Sequence, residues 1–233
     1  HRARIVESVL APMLTARTFQ SPYEAFEYIT EQTSVLAIQS GEPGPIAQAI
    51  AGIDIALWDL CARRAKEPLW RYLNPYASPR IRVYASGLNP TNPERLATQK
   101  QREGHIAFKL KVGFGAERDI ANLEKLRSCL GSEARLMVDA NQAWDIETTL
   151  QMLPRLAPFQ LDWLEEPLRA DQPWSVWKVI QRHAPMPLAA GENISGTSAF
   201  DEAISSGVLG VIQPDIAKWG GFSGCLSVSR RII

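Results

Sequence analysis

The sequence predicts an α/β fold, a (β/α) barrel behind a helical N-terminal segment, and two observations predict it. After residue 76, short apolar β-like runs alternate with helix-like segments, and the runs start about 25 residues apart, which implies βαβ crossovers and a parallel sheet. No glycine-rich dinucleotide fingerprint follows the first run, so the even spacing favours a barrel over an open, doubly wound sheet.

The elements follow in order. Residues 1 to about 76 read as helices. In "SPYEAFEYITEQT", Ser21 is placed to cap a helix whose first residue is Pro22, where a missing N–H does no harm. "PIAQAIAGIDIALWDLCARRA", Pro45 to Ala65, carries an apolar stripe and reads as a buried helix. "NPYASPR", residues 74–80, holds two prolines and marks a boundary between a domain at 1–76 and a barrel domain at 77–233. Six β-like runs come next: "RVYASG" (82–87), "AFKLKVG" (107–113), "RLMVDAN" (135–141), "LDWLEEP" (161–167), "PLAAGEN" (187–193) and "VIQPDI" (211–216). "ERDIANLEKLRSCL" and "IETTLQMLPRL" are among the helices between them. Six units do not close an eight-stranded barrel, so about two more are expected beyond Ile233, with the chain as a piece of a longer protein.

Composition sets bounds on partners. The 233 residues carry 25 Lys+Arg and 25 Asp+Glu, a formal net charge of zero. This gives no electrostatic reason to expect nucleic acid or an anionic membrane. No stretch is expected to span a bilayer, and no secretory signal opens the chain. Cys61, Cys129 and Cys225 are odd in number and widely spaced. They fit thiols of a reducing cytoplasm better than a disulfide framework.

Barrel enzymes do their chemistry at the C-terminal ends of the strands, and here those ends are polar. The second run carries Lys109 and Lys111, which leave the same face of a strand. The third ends in Asp139 and Asn141, the fourth in Glu165 and Glu166, the fifth in Glu192 and Asn193, and the sixth in Asp215 with Lys218 beyond. Three successive strands thus bring a carboxylate to one rim. Converging carboxylates repel unless a cation sits among them, and all-oxygen ligation points to Mg²⁺, with Mn²⁺ as the alternative. The metal and the paired lysines would each depress a lysine pKa, so that one lysine acts as a base near neutral pH. The charge would also stabilise the enediolate formed when a carboxylate substrate loses its α-proton. Each residue has a plainer explanation too. The lysines would suit an edge strand, Asp139 and Asn141 a turn, and Glu165 the entry to a helix. His105 and His183 read as solvated helix or loop residues.

In this order and spacing, "KLK", "VDAN", "EEP", "GEN" and "QPD…GG" resemble the enolase superfamily, in its mandelate racemase/muconate lactonizing enzyme group. "AGIDIALWDLCARRAKEPLWRYL" is similar to that group's link from capping domain to barrel. The resemblance covers essentially the whole chain. It implies a modified (β/α)8 TIM barrel, truncated to about six strands here, with part of an α+β capping domain. It also implies Asp139, Glu165 and Glu192 as metal ligands, Lys111 as general base, and Lys109 as its partner contacting the substrate carboxylate. Asn141 stands equally as a substrate contact or a turn residue. A glutamate third ligand is closer to the mandelate racemase branch, in which Asp215 pairs with a histidine of the seventh strand. In lactonizing and epimerising relatives a lysine near the place of Lys218 is itself an acid/base residue. The second catalyst stays open between the two.

The expectation is a cytoplasmic, Mg²⁺-dependent lyase that dehydrates a sugar acid, an aldonate or aldarate, to a 2-keto-3-deoxy acid. The alternatives are a racemase or epimerase of a 2-hydroxy acid or amino-acid derivative, and a catalytically inactive fragment. The expected partner is a small-molecule carboxylate substrate, with neither nucleic acid nor membrane. The resemblance adds a homo-oligomer, dimer or octamer.

Overall fold

The computed structural model describes His1–Ile232; Ile233, where the expected barrel domain ends, lies outside the described residues. The chain divides into two compact units. One comprises His1–Ile81, Gly191–Glu202 and the chain from Pro214, and the other comprises Arg82–Ala190 and Ala203–Gln213.

The first unit is helical. Helix α1 (Arg2–Ile5) passes through a π-helical turn at Val6–Leu10 into α2 (Ala11–Thr15). Helix α3 (Pro22–Ser40) begins as the sequence predicts. Ser21 is extended, and its hydroxyl accepts the Glu24 amide at 3.2 Å. Gly41, at φ +65°, ends the helix in the left-handed conformation that glycine adopts freely. Helix α4 (Pro43–Ala65) starts two residues before the expected Pro45. Both prolines fall in its first turn, whose amides need no helical partner. The short α5 (Leu69–Leu73) follows. Leu10, Ile29, Ile46, Ala49 and Ile50 form the core between these helices.

Among the described residues, α4 alone is long and apolar enough to cross a membrane, a test the sequence was not expected to meet at any point. It packs against α3 and against a later helix of the same unit, α11 below, and buries Asp54 and Trp58 along its inner stripe. A core helix has that pattern of burial.

The second unit contains a parallel six-stranded sheet in sequence order: β1 (Ala85–Leu88), β2 (Ala107–Lys111), β3 (Arg135–Asp139), β4 (Leu164–Glu165), β5 (Leu188–Ala190) and β6 (Leu209–Ile212). Helices α6 (Pro93–Arg102), α7 (Ala116–Leu130), α8 (Ile146–Leu156) and α9 (Trp174–His183) fill the crossovers. Helix α10 (Thr197–Ser206) precedes β6, and α11 (Gly221–Ile232) closes the described chain in the first unit. Strictly sequential parallel strands are how a (β/α) barrel is built, stave by stave.

Residue parity explains where the chemistry lies. Phe108, Leu110, Leu136, Val138 and Leu164 join one buried core with Leu123, Leu126, Leu153 and Trp177 of the helices. Successive strand residues face opposite sides, so Lys109, Lys111, Asp139 and Glu165 take the other face. The strands are shorter than the predicted runs. Gly113 (φ +97°), Asn141 (+44°) and Glu166 (+40°) turn the chain out of the ladder just past the strand ends. The sixth strand starts two residues earlier than expected and stops before Gln213, which leaves Asp215 in the loop.

Candidate active site

Backbone register builds the site. Lys111 pairs with Asp139, and Asp139 pairs with Glu165, so the three side chains stand side by side at the strand ends. Lys109 lies one step lower on the same face. Its ammonium reaches both oxygens of Glu165 at 2.7 Å and Asp139 Oδ2 at 3.4 Å. Lys111 donates to Asp139 Oδ2 at 2.5 Å. Asp139, Glu165 and Lys109 are 0%, 2% and 5% exposed, whereas the Lys111 side chain keeps 25% of its surface. One lysine is therefore enclosed, and its neighbour is open.

The lysines are not held against each other alone, because each faces a carboxylate. Burial works to lower the Lys109 pKa, but the hydrogen bonds and charge of Glu165, with Asp139, outweigh it and hold the ammonium above its ordinary range. That reverses the depression expected of paired lysines. Burial likewise works to raise the Asp139 carboxyl. Lys111, the Asn141 amide and Lys109 overcome it and hold Asp139 below the usual carboxylate range.

Three further side chains surround Glu165. Trp163 Nε1 and Gln213 Nε2 each donate to Glu165 Oε2 at 3.1 Å. The Tyr84 ring lies 5.4 Å from the Lys109 ammonium and meets Trp163 edge-on at 5.5 Å. Sequence motifs gave no role to these three. For Trp163 the signal is parity, since it precedes Glu165 by two and shares its face. The amide of Asn141 donates to Asp139 Oδ1 at 2.8 Å, while its side chain is exposed.

Glu192, Asp215 and Lys218 belong to the first unit. Lys218 Nζ donates to Glu192 Oε1 at 3.2 Å and to Asn193 Oδ1 at 2.9 Å. Asp215 Oδ1 accepts the amides of Ala217 at 2.7 Å and Lys218 at 3.1 Å, which organises the turn that leads to α11. Among the described residues, no three His, Cys, Asp or Glu side chains are gathered so that they could hold a metal ion. By donor chemistry the carboxylates still fit a hard divalent cation: Asp139 and Glu165 are adjacent, buried oxygen donors. His183 ends α9 with Nδ1 2.8 Å from the Val179 carbonyl oxygen. A cleft in the helical unit, lined by Phe26, Ile46, Ile50 and Trp219 among others, has no charged side chain and shares no residue with the lysine–carboxylate array.

Comparison with known proteins agrees with this architecture. Residues 1–73 match the mandelate racemase/muconate lactonizing enzyme N-terminal domain, and residues 93–232 match the enolase C-terminal domain-like family. A 3,6-anhydro-alpha-L-galactonate cycloisomerase of Streptomyces coelicolor is 36% identical over 79% of this chain and 52% of its own. An L-talarate/galactarate dehydratase of Salmonella typhimurium is 34% identical over 81% and 48%. A solved mandelate racemase/muconate lactonizing enzyme of Bordetella bronchiseptica superposes with a TM-score of 0.97 at 58% identity, covering 100% of this chain and 64% of that one. A racemase of Streptomyces coelicolor solved with bound magnesium gives 0.89 at 31% identity, covering 99% and 64%. The chain thus spans about half the length of the two enzymes matched by sequence.

Proposed function

This chain belongs to the enolase superfamily, in its mandelate racemase/muconate lactonizing enzyme group, and from that premise we propose that the full-length protein removes the proton α to a carboxylate and dehydrates a sugar acid to a 2-keto-3-deoxy acid. The observation that carries the proposal is the in-register row Lys111–Asp139–Glu165 with Lys109 enclosed beneath it. Asp139, Glu165 and Glu192 would hold Mg²⁺, which supplies positive charge to the substrate carboxylate as its α-proton leaves. The magnesium bound to the Streptomyces racemase supports that choice of ion.

The chain's own residues do the rest. Lys111, open to solvent and held by Asp139, is placed to take the α-proton onto Nζ. Lys109, locked by Glu165, keeps a permanent positive charge below the substrate carboxylate and stays protonated. Electrons from the broken C–H bond form the enediolate, which expels the β-hydroxyl as water when an acid protonates it. The resulting enol becomes the 2-keto acid. Asp215, with a histidine of the longer protein, or Lys218 would supply that acid.

The sugar-acid class draws support from the dehydratase and the cycloisomerase among the relatives. A second reading, racemase or epimerase, draws support from the Streptomyces racemase. It uses the same enediolate and returns the proton on the opposite face. The test is full-length protein with Mg²⁺ against a panel of aldonates and aldarates, assayed for 2-keto acid, with EDTA as control. Metal-dependent keto-acid formation supports dehydration. Exchange of the α-proton in D₂O without keto acid would replace it with the second reading.

A further inference from the structure

Glu165 is held unevenly. Its Oε2 accepts from Lys109 Nζ at 2.7 Å, Trp163 Nε1 at 3.1 Å and Gln213 Nε2 at 3.1 Å. Its Oε1 accepts from Lys109 at 2.7 Å. A carboxylate offers about two lone-pair sites per oxygen. Three donors therefore fill Oε2, while Oε1 keeps acceptor capacity. The donors are unambiguous: an indole N–H can only donate, and a carboxylate can only accept, which fixes the Gln213 amide with its nitrogen inward.

Both donors are themselves anchored. Tyr84 meets the Trp163 ring at 78°, and the Gln213 backbone N–H donates to the Ala190 carbonyl of β5 at 3.0 Å, which fixes the residue that carries the side-chain donor. Trp163 comes from the entry to β4, and Gln213 from the end of β6. Two fixed points from different strands on one oxygen set the plane of the carboxylate.

We propose that Trp163 and Gln213 are positioning residues that grip Glu165 by Oε2 and leave Oε1 as the oxygen available to a divalent cation. The inference rests on Glu165 being a metal ligand. Groups that orient metal ligands are worth about 10- to 100-fold in affinity when removed.

The test is calorimetric titration of Mg²⁺ into the full-length protein and into Trp163→Phe and Gln213→Met, with thermal unfolding measured without metal. Trp163→Phe keeps an aromatic ring and Gln213→Met keeps length, and each removes the donor to Glu165 Oε2. The expected result is Mg²⁺ affinity weakened by about tenfold in each variant, with a single cooperative unfolding transition retained without metal at a somewhat lower midpoint. If one variant fails to fold, the other decides. Wild-type Mg²⁺ affinity in a folded variant overturns the positioning role and leaves Glu165 as ligand. A wild-type protein that binds no Mg²⁺ overturns the ligand reading itself, and this inference with it.

Discussion

Asp54 and Ser223 lie 169 residues apart in sequence and close a buried hydrogen-bonded ring. The Ser223 hydroxyl donates to Asp54 Oδ1 at 2.5 Å, and its amide donates to Oδ2 at 3.0 Å. Trp58 Nε1 adds a bond to the Ser223 hydroxyl at 3.0 Å. Ser223 is the third residue of α11, so a carboxylate from α4 satisfies an amide that the first turn of a helix leaves without a partner.

Burial pushes the Asp54 carboxyl above its ordinary 3.8, against the lowering effect of the Ser223, Phe222 and Trp58 hydrogen bonds. The folded protein then keeps this proton to higher pH than the unfolded chain does. Stability from Asp54 is complete below 3.8 and falls as pH rises through the folded value. Asp54→Asn removes that titration. Urea unfolding of both proteins over weakly acidic to neutral pH should show wild type losing stability relative to the variant as pH rises. A constant or opposite difference would refute the assignment.

Gly221 permits this contact. It sits at φ +53°, and a Cβ there would lie 2.3 Å from Asp54 Oδ2. Gly221→Ala should destabilise by about 2 kcal/mol or more, from the backbone conformation and the overlap together. Gly52→Ala is the contrast. That residue is exposed within α4 with nothing within 4 Å of its added Cβ, and alanine there should stabilise by roughly 0.5–1 kcal/mol. Denaturant midpoints of the two variants moving the same way would defeat the steric explanation.

The Lys109–Glu165 pair should behave as a unit. Removing one buried partner strands the other charge, so Lys109→Met should cost about 3–5 kcal/mol. The double variant Lys109→Met/Glu165→Gln should cost less than the sum of the singles, by about 1–3 kcal/mol. The carboxamide is neutral and still accepts from Trp163 and Gln213. Additive costs in urea unfolding would mean that the two residues do not stabilise each other.

Lys109 of β2 and Asp139 of β3 set a pH window. Lys109 is raised from 10.5, so its stabilisation is present below that value and lost as pH climbs through the folded pKa. Asp139 is lowered from 3.8, so its stabilisation is present above that value and lost as pH falls through the folded pKa. Thermal unfolding followed by circular dichroism should therefore show an alkaline decline that Lys109→Met flattens and an acid decline that Asp139→Asn flattens. Swapped effects would reverse the assigned signs.

Much of this was legible in the sequence because it rests on local rules. Ser21 and Pro22 start α3 through side-chain and backbone chemistry that a short window contains. The even spacing of apolar runs follows from the strand–helix repeat. Lys109, Lys111, Asp139 and Glu165 meet because all four occupy odd positions on β2, β3 and β4, and parity can be counted. Asp54 could not be placed that way, since its partner is separated from it by most of the chain. Gln213 was equally hidden. Its role depends on β6 ending at Ile212 and on which carboxylate its amide reaches, and both are set by packing. The Lys109 pKa went the other way from the expectation because distance to Glu165, rather than spacing along the strand, decides its sign.

Lys111 and Lys109 differ most in what they can reach, and that difference separates base from fixed charge. The Lys109 ammonium is divided between two Glu165 oxygens and is nearly closed to solvent, so a substrate C–H bond has no approach to it. Lys111 has one carboxylate contact and an open flank. Lys111→Ala should then reduce α-proton exchange in D₂O by about 100- to 10,000-fold, the worth of a positioned general base. Mg²⁺ affinity should hold or tighten, because the change removes a positive charge beside Asp139. Exchange at the wild-type rate on both faces, with Mg²⁺ bound, would take the base role from Lys111. Loss of Mg²⁺ binding together with exchange would show instead that Lys111 serves to organise Asp139.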